Sequence, residues 1–333
     1  MKSATIYDVA RSAGVSHQTV TRYLRGFEGI RPATRERVQV AIAELEYRPN
    51  SAARELRMSK VNRIAILSHR IDETGPARIL RGMIRSAQER GYVAEIIWMD
   101  GVDATSVDMA LNLATEHQVA GILASAQNDV VLERLTARSI TVPIVIDAHV
   151  TEESSSVLLD ELIGRMCAEH LLDLGHRQVG YLSGPEPWFA ARERRKGFVE
   201  TIENAGGEVL WSGAGDWSSQ SGYATWRSAE MPDLGITAVA AGNDSMAIGL
   251  IAAAAESGLR VPEDLSVIGT DDLPEARFLV PSPLTTIVVD FEGEGQRMTN
   301  ELLNLIDPPQ SSGQSESQSP PRLEVRASTR RIV

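Results

Sequence analysis

Two constellations of side chains in this sequence have the residue types and spacing to do chemistry. The first is dense: Ser16, His17, Gln18, Thr19 and Arg22 follow Gly14 closely. Gln can make paired hydrogen bonds to adenine and Arg to guanine, while Ser and Thr hydroxyls suit phosphate oxygens. The second is scattered, and most of its members follow an apolar run. Asp147 follows Ile144-Val-Ile146, Asn243 and Asp244 follow Ala238 to Gly242, and Asp271 and Asp272 follow Ile268-Gly-Thr270. Arg194 sits in a helix-prone stretch and Trp217 in the loop Gly215-Asp-Trp-Ser218. Carboxylate, amide and guanidinium groups hydrogen-bond sugar hydroxyls, and an aromatic face covers the apolar C–H side of the ring. Each of these residues also has a plainer use. Asp244 reads first as a helix N-cap, Asp271 or Asp272 as a turn cap, and Trp217 as core. Arg194, in Arg192-Glu-Arg-Arg-Lys196, reads first as part of a solvated helix face.

Covalent, redox and metal chemistry find little support. The single cysteine, Cys167, excludes an intrachain disulfide and a multi-cysteine metal site, and its helix-prone neighbours mark it as a buried inert thiol. There is no GxGxxG, phosphate loop or nucleophile elbow, so no cofactor is expected. Asp147 and Asp271 could in principle act as acid and base, which would make a sugar-processing enzyme the competing class. The N-terminus reaches Asp8 without an apolar signal segment, and the longest apolar run, Ala247 to Ala255, is about half a membrane span. A cytoplasmic protein with no membrane partner is the expectation.

The elements that must position the first constellation lie in a basic head. Residues 1–60 hold 11 Lys/Arg against 6 Asp/Glu, a formal +5, whereas residues 61–333 hold 22 against 39, a formal −17. A polyanion attracts the head and repels the body. Thr5 is a candidate N-cap with Asp8 three positions on. Ile6, Val9, Ala10 and Ala13 form one helical stripe, Gly14 allows a tight turn, and Ser16 can cap a second helix. Val20 and Leu24 then face inward and His17, Gln18, Thr21 and Arg22 outward, as in a recognition helix. A third helix runs from about Pro32 to Leu45 with Val38, Ile42 and Leu45 inside, its start weakly capped by Arg31. Asn50 to Arg57 is helix-prone but too short to be stable alone. It is expected to form against a DNA minor groove and a twin helix, with Leu56 as a wedge between base pairs.

The second constellation lies in a body where β-rich runs alternate with helical ones from Asn62 onward. Strands are expected at Ile64 to Leu67, Val93 to Trp98, Gly121 to Ala124, Pro143 to Ile146, Val179 to Leu182, Ala238 to Ala241 and Leu265 to Ile268. This rhythm predicts two doubly wound α/β lobes with parallel sheets, and ligands bind such sheets beyond the carboxyl ends of the strands. Asp307 to Pro321, rich in Ser, Gln and Pro, reads as an extended loop.

Nearly the whole chain resembles the lactose-repressor/galactose-repressor family of bacterial transcription regulators. The resemblance rests on Ile6-Tyr-Asp-Val-Ala10 through Val15-Ser-His-Gln-Thr-Val20, on Thr34-Arg-Glu-Arg-Val38 and on Tyr47-Arg-Pro-Asn50. In the body it rests on Leu174-Gly-His-Arg177, Asn243-Asp-Ser-Met-Ala247, Val261-Pro-Glu-Asp264 and Pro283-Leu-Thr-Thr-Ile287. It implies an N-terminal all-α helix-turn-helix DNA-binding domain on a periplasmic-binding-protein-like core whose lobes exchange strands. On that pattern residues 1–49 are the DNA-binding domain and 50–60 the hinge helix and linker. Residues 61–333 bind effector and dimerise, with an N-lobe of about 61–160 and 291–321 and a C-lobe of about 161–290 and 322–333.

The resemblance also implies DNA contacts at Thr5, Ser16, His17, Gln18, Thr19, Arg22, Asn50, Ala53 and Leu56. Effector contacts are implied at Asp147, Arg194, Trp217, Asn243, Asp271 and Phe291. The implied partners are a near-palindromic double-stranded operator, a small sugar and a second copy of the chain, and the implied place is the cytoplasm, on nucleoid DNA. Gly215-Asp-Trp-Ser218 favours a galactoside-like inducer, with a β-linked glucoside or disaccharide as its competitor. The departures are specific. The lactose-responsive branch has Tyr where His17 stands, Ser at Ala190 and Gln at Val289, so a shifted operator preference and two fewer pocket hydrogen bonds are expected. No leucine heptad follows the last strand, and a dimer rather than a tetramer is the expectation.

Overall fold

Thr5 starts the first helix as its sequence predicts. Its hydroxyl accepts from the Asp8 amide at 3.3 Å, and the Thr5 amide donates back to the Asp8 carboxylate at 2.9 Å, a complete capping box. In this computed structural model the described residues are 4–24, 27, 29–47, 61–100, 103–148, 155–229, 235–308 and 319–332. Asn50, Ala53 and Leu56 lie outside them. The chain divides into two compact units, Met1–Val61 and Asn62–Val333.

The first unit contains helices α1 (Ile6–Ser12), α2 (His17–Leu24) and α3 (Pro32–Glu44). Gly14 takes φ +62 in the turn between α1 and α2. Ser16 caps α2 by accepting from the Thr19 amide at 3.2 Å, while Arg31 makes no side-chain cap for α3. Val9, Ala13, Val20, Val38 and Ala41 close a small core. Ile42 and Leu45 pack against its edge.

The second unit holds two α/β lobes. In the N-lobe, β1 (Arg63–Ser68), β2 (Val93–Trp98), β3 (Gly121–Ala126) and β4 (Ile144–Ala148) form a parallel sheet in the order β2-β1-β3-β4. Helices α4 (Thr74–Glu89), α5 (Ala104–Glu116) and α6 (Asp129–Ala137) connect these strands. Such a sheet, covered on both faces, needs apolar residues on both, and β1 and β3 are accordingly almost wholly buried.

The C-lobe begins with α7 (Ser155–Asp173). It continues through β5 (Gln178–Ser183), α8 (Phe189–Asn204), β6 (Glu208–Ala214), α9 (Ser219–Ser228), β7 (Ala238–Ala241), α10 (Asp244–Glu256), β8 (Ser266–Thr270) and β9 (Thr285–Val288). Helix α11 (Phe291–Ile306) then returns to the N-lobe, where Met298, Leu302 and Leu303 pack against Ile64, Ile66 and Leu123. The chain crosses back in β10 (Arg322–Glu324), which pairs antiparallel with β9. The C-lobe sheet order is β10-β9-β8-β7-β5-β6, parallel apart from this edge strand. Helices α7 and α8 cross in close contact: a Cβ on Gly164 would lie 1.9 Å from the Arg194 carbonyl oxygen, and one on Gly197 2.1 Å from that of Glu161. Among the described residues no helix is long and apolar enough to cross a membrane.

Candidate functional site

The α2 face leaves outside most of the residues expected there; Thr21, also expected outward, is half-buried and its hydroxyl donates to the His17 carbonyl oxygen at 2.9 Å. Val20 is fully buried beneath α2, while Ser16, His17, Gln18 and Arg22 are exposed and Thr19 is half-buried. The hydroxyls of Ser16 and Thr19 lie 3.0 Å apart at the N-terminus of α2. Thr5 occupies the corresponding end of α1, its hydroxyl engaged with Asp8 at 2.6 Å. Two helix starts that carry hydroxyls suit phosphate oxygens. The His17 ring leans on that of Tyr7 at 5.3 Å, and the Arg22 guanidinium lies 5.6 Å from the Phe27 ring centre. Neither aromatic was flagged by the sequence, although Tyr7 is an exposed aromatic in a basic head.

In the second unit a cleft with about 750 Å³ of open space, its mouth included, brings together all six residues expected at the effector site: Asp147, Arg194, Trp217, Asn243, Asp271 and Phe291. Asp147 stands at the end of β4, Asp271 just past β8, and Phe291 opens α11. Asn243 holds the Trp217 loop, donating through Nδ2 to the Trp217 carbonyl oxygen at 3.0 Å. Its Oδ1 accepts from the Met246 amide at 2.9 Å, so Asn243 and not Asp244 caps α10. Asp244 lies one position further on, beneath the cleft, accepting from the Leu273 amide and the Thr286 hydroxyl at 2.7 Å each. The cap shifts because Asn243 has the extended backbone of a cap while the Asp244 side chain is drawn inward. Burial, reinforced by the nearby Asp271 charge, raises the Asp244 carboxyl well above its ordinary range.

Arg194 departs from the solvated position its neighbours suggest. It is 7% exposed, whereas Arg195 and Lys196 face solvent. The glycine crossing of α7 on α8 brings it against Asp160, to which its Nε donates at 2.7 Å. Its Nη1 donates to the Gly242 carbonyl oxygen at 2.8 Å and lies 3.6 Å from the Asp271 carboxylate. Burial alone would lower its pKa, but Asp160 and Asp271 together push it upward, so the guanidinium stays charged. Burial raises Asp271 to about 6, against the opposing pull of Arg194 and Arg78.

Trp217 is both core and cleft wall. It is buried among the residues of the C-lobe core, lines the cleft, and its indole Nε1 has no hydrogen-bond partner among the described residues. Both Trp217 and Asp271 hold left-handed backbone, φ +76 and +106, a conformation that costs a residue with a side chain about 1–2 kcal/mol. N-lobe arginines clasp the carbonyls beside them. Arg70 donates to the Asp216 oxygen at 2.9 Å, and Arg78 donates to those of Asp271 and Asp272 at 2.7 and 3.0 Å.

The cleft also contains residues the sequence reading missed, among them His69, Glu73, Gln127 and Trp188. His69 follows β1, Gln127 follows β3 and Trp188 lies beyond β5. The strand-end rule that located Asp147 would have found them. Of the two departures noted in the sequence, Ala190 lines the cleft, but Val289 is buried in the C-lobe core. It lies beside Asp290, whose side chain caps α11, and the strand-to-helix turn directs it inward.

Comparison with known proteins agrees with this architecture. Residues 5–50 match the family of bacterial regulatory proteins, lacI family, and residues 168–329 match a periplasmic binding protein-like domain. The lactose operon repressor of Escherichia coli (strain K12) is 33% identical over 315 residues, covering 92% of this chain and 85% of that protein. The crystal structure of the Lac repressor dimer bound to operator and the anti-inducer ONPF superposes with a TM-score of 0.85 at 29% identity, covering 99% of this chain and 100% of that one. The complex of the transcriptional regulator CelR with cellobiose gives a TM-score of 0.68 at 27% identity, covering 98% and 99%. A helix-turn-helix unit carried on a two-lobed, periplasmic-binding-protein-like body defines a DNA-binding regulator of transcription. This chain belongs to the lacI family of bacterial regulatory proteins, and is a transcriptional repressor of the kind that responds to a small molecule.

Proposed function

We propose that the chain acts as a homodimer that binds a near-palindromic double-stranded operator and releases it when a small, galactoside-like sugar enters the cleft. The observation that carries this reading is the meeting of Asp147, Arg194, Trp217, Asn243, Asp271 and Phe291 in one cleft lined by both lobes. Its polar groups suit hydroxyls and its indole suits a pyranose face. On the DNA side the contacts are Thr5, Ser16, His17, Gln18, Thr19 and Arg22, with Asn50, Ala53 and Leu56 of the 50–60 hinge reading the centre of the site. In the dimer, two recognition helices address two half-sites. The protein works in the cytoplasm, on nucleoid DNA, without catalysing a reaction.

Coupling follows from the clasps. The two arginines that grip the carbonyls beside Trp217 and Asp271 belong to the opposite lobe, so a ligand that shifts either residue changes how the lobes meet. The likeness to a cellobiose complex supports a second reading, in which the sugar is a β-linked glucoside. A thermal-shift screen of mono- and disaccharides, followed by fluorescence-anisotropy titration of a labelled operator with each stabilising sugar, tests the proposal. A protein that no sugar stabilises, and that keeps its grip on operator throughout, would refute it.

A further inference from the structure

We propose that the effector is a two-ring glycoside whose second ring sits in an outer subsite formed by Gln127, Trp188, His69 and Glu73. The inference deepens the sugar reading above and rests on it.

Gln127 is the first indication. It is 5% exposed, it lines the cleft, and neither atom of its side-chain amide has a hydrogen-bond partner among the described residues. A buried amide left unmet on both sides carries a desolvation cost that a ligand hydroxyl would remove. Its main chain is fixed: the Gln127 carbonyl oxygen accepts from the Phe189 amide of the other lobe at 2.8 Å. That bond sets the unsatisfied amide close to Trp188, the residue before Phe189.

The second indication is the pair of indoles. The rings of Trp188 and Trp217 have centroids 5.9 Å apart and planes inclined by 59°. A pyranose needs about 3.5–4 Å from each aromatic face, so roughly 7–8 Å would be required to hold one ring between them. The two indoles pack on one another instead and offer two separate platforms. Trp217, among Arg194, Asn243 and Asp271, serves the inner ring. Trp188 serves an outer one. It is half-buried, braced by the His69 ring at 5.3 Å and 69°, and has the Arg70 guanidinium 5.7 Å from its centre.

Hydrogen-bonding groups edge this platform. Glu73, paired with Arg70 at 2.5 Å, and Gln127 both line the same cleft. Burial raises the Glu73 carboxyl to about 7, despite the opposing Arg70 charge, so near neutrality it can donate to a hydroxyl as well as accept from one.

The test is calorimetric titration of the full chain with lactose, melibiose, cellobiose and maltose, each set against the methyl glycoside of its non-reducing ring. The expected result is that at least one disaccharide binds about tenfold or more tightly than its matched methyl glycoside. Trp188→Leu and Gln127→Leu, each with wild-type circular dichroism, should each bring that ratio down toward one. Equal affinity of the wild-type protein for every disaccharide that binds and its matched methyl glycoside overturns the outer subsite while leaving the sugar reading intact. A ratio that both variants preserve does the same. Failure of all eight probes to bind overturns the sugar reading and the subsite with it.

Discussion

Arg78 of the N-lobe donates to the main-chain carbonyl oxygen of Asp271 in the C-lobe at 2.7 Å, holding in place a residue whose φ is +106. A charged donor on a partly buried carbonyl contributes roughly 1.5–3 kcal/mol. Arg78→Ala is therefore expected to raise the effector dissociation constant about tenfold, with Arg78→Lys recovering part of the loss. Calorimetry with a sugar that stabilises the wild-type protein measures both. Wild-type affinity in Arg78→Ala would show that the clasp does not shape the site.

Arg194 is held by Asp160 and Gly242 and stands beside Asp271, all inside the protein. A solvated Arg194 could be removed with loss of the effector response alone. Removing the buried one leaves carboxylates without their cation, which costs about 3–5 kcal/mol. Arg194→Ala should lower the urea midpoint sharply, and adding Asp160→Asn should restore part of the loss. If the double variant is no more stable than the single one, Asp160 is not the group left stranded.

Glu73 makes stability depend on pH. Its carboxyl is raised from 4.5 to about 7, chiefly by burial, with Asp72 and Asp216 adding to the rise and Arg70 opposing it. The folded state then binds more protons than the unfolded one, and stability must fall as pH rises. This contribution is fully present below pH 4.5 and is lost as pH climbs through about 7. Glu73→Gln cannot titrate, so its melting temperature should exceed that of the wild-type protein at pH 8 by more than it does at pH 5. Parallel melting curves across that range would remove the effect.

On the proposed function, Gln18 and Leu56 read DNA in two ways that substitution can test. Gln18→Ala, on an exposed helix face, should cost roughly 1–3 kcal/mol on operator and little on unrelated DNA. If Leu56 is the wedge proposed for the centre of the site, Leu56→Ala should likewise weaken specific binding far more than nonspecific binding. Anisotropy titrations on operator and scrambled duplexes measure both. Equal losses on the two DNAs would mean that the substituted residue serves general affinity only.

Much of the fold was legible because local rules agree with the tertiary result. The Thr5–Asp8 box, the turn at Gly14 and the alternation of β-rich and helical runs depend on near neighbours. Strand β6 and helix α11 were not flagged. β6 is half exposed and mixes Trp211 with Ser212 and Gly213, while α11 opens on Phe291-Glu-Gly-Glu-Gly295, where glycines depress helix propensity. One of them has a tertiary purpose: a Cβ on Gly295 would lie 2.0 Å from the Ile79 carbonyl oxygen of α4. The inner residues of the cleft were legible from type and position. The burial of Arg194 was not, because it depends on a helix crossing between Gly164 and Gly197 that no local pattern announces. Gln127 and Trp188 were legible in principle from their places beyond strands β3 and β5, but their residue types alone do not point to a sugar.

The lone thiol gives the molecule a practical property. Cys167 is 3% exposed within the C-lobe core, and burial pushes its pKa up to about 12. Thiolate is the reactive form, so maleimide and iodoacetamide reagents have almost nothing to attack in the native protein. A cysteine introduced on each lobe could thus be labelled without first editing the natural one, and a dye pair placed there would report the opening and closing of the cleft in the otherwise unaltered chain.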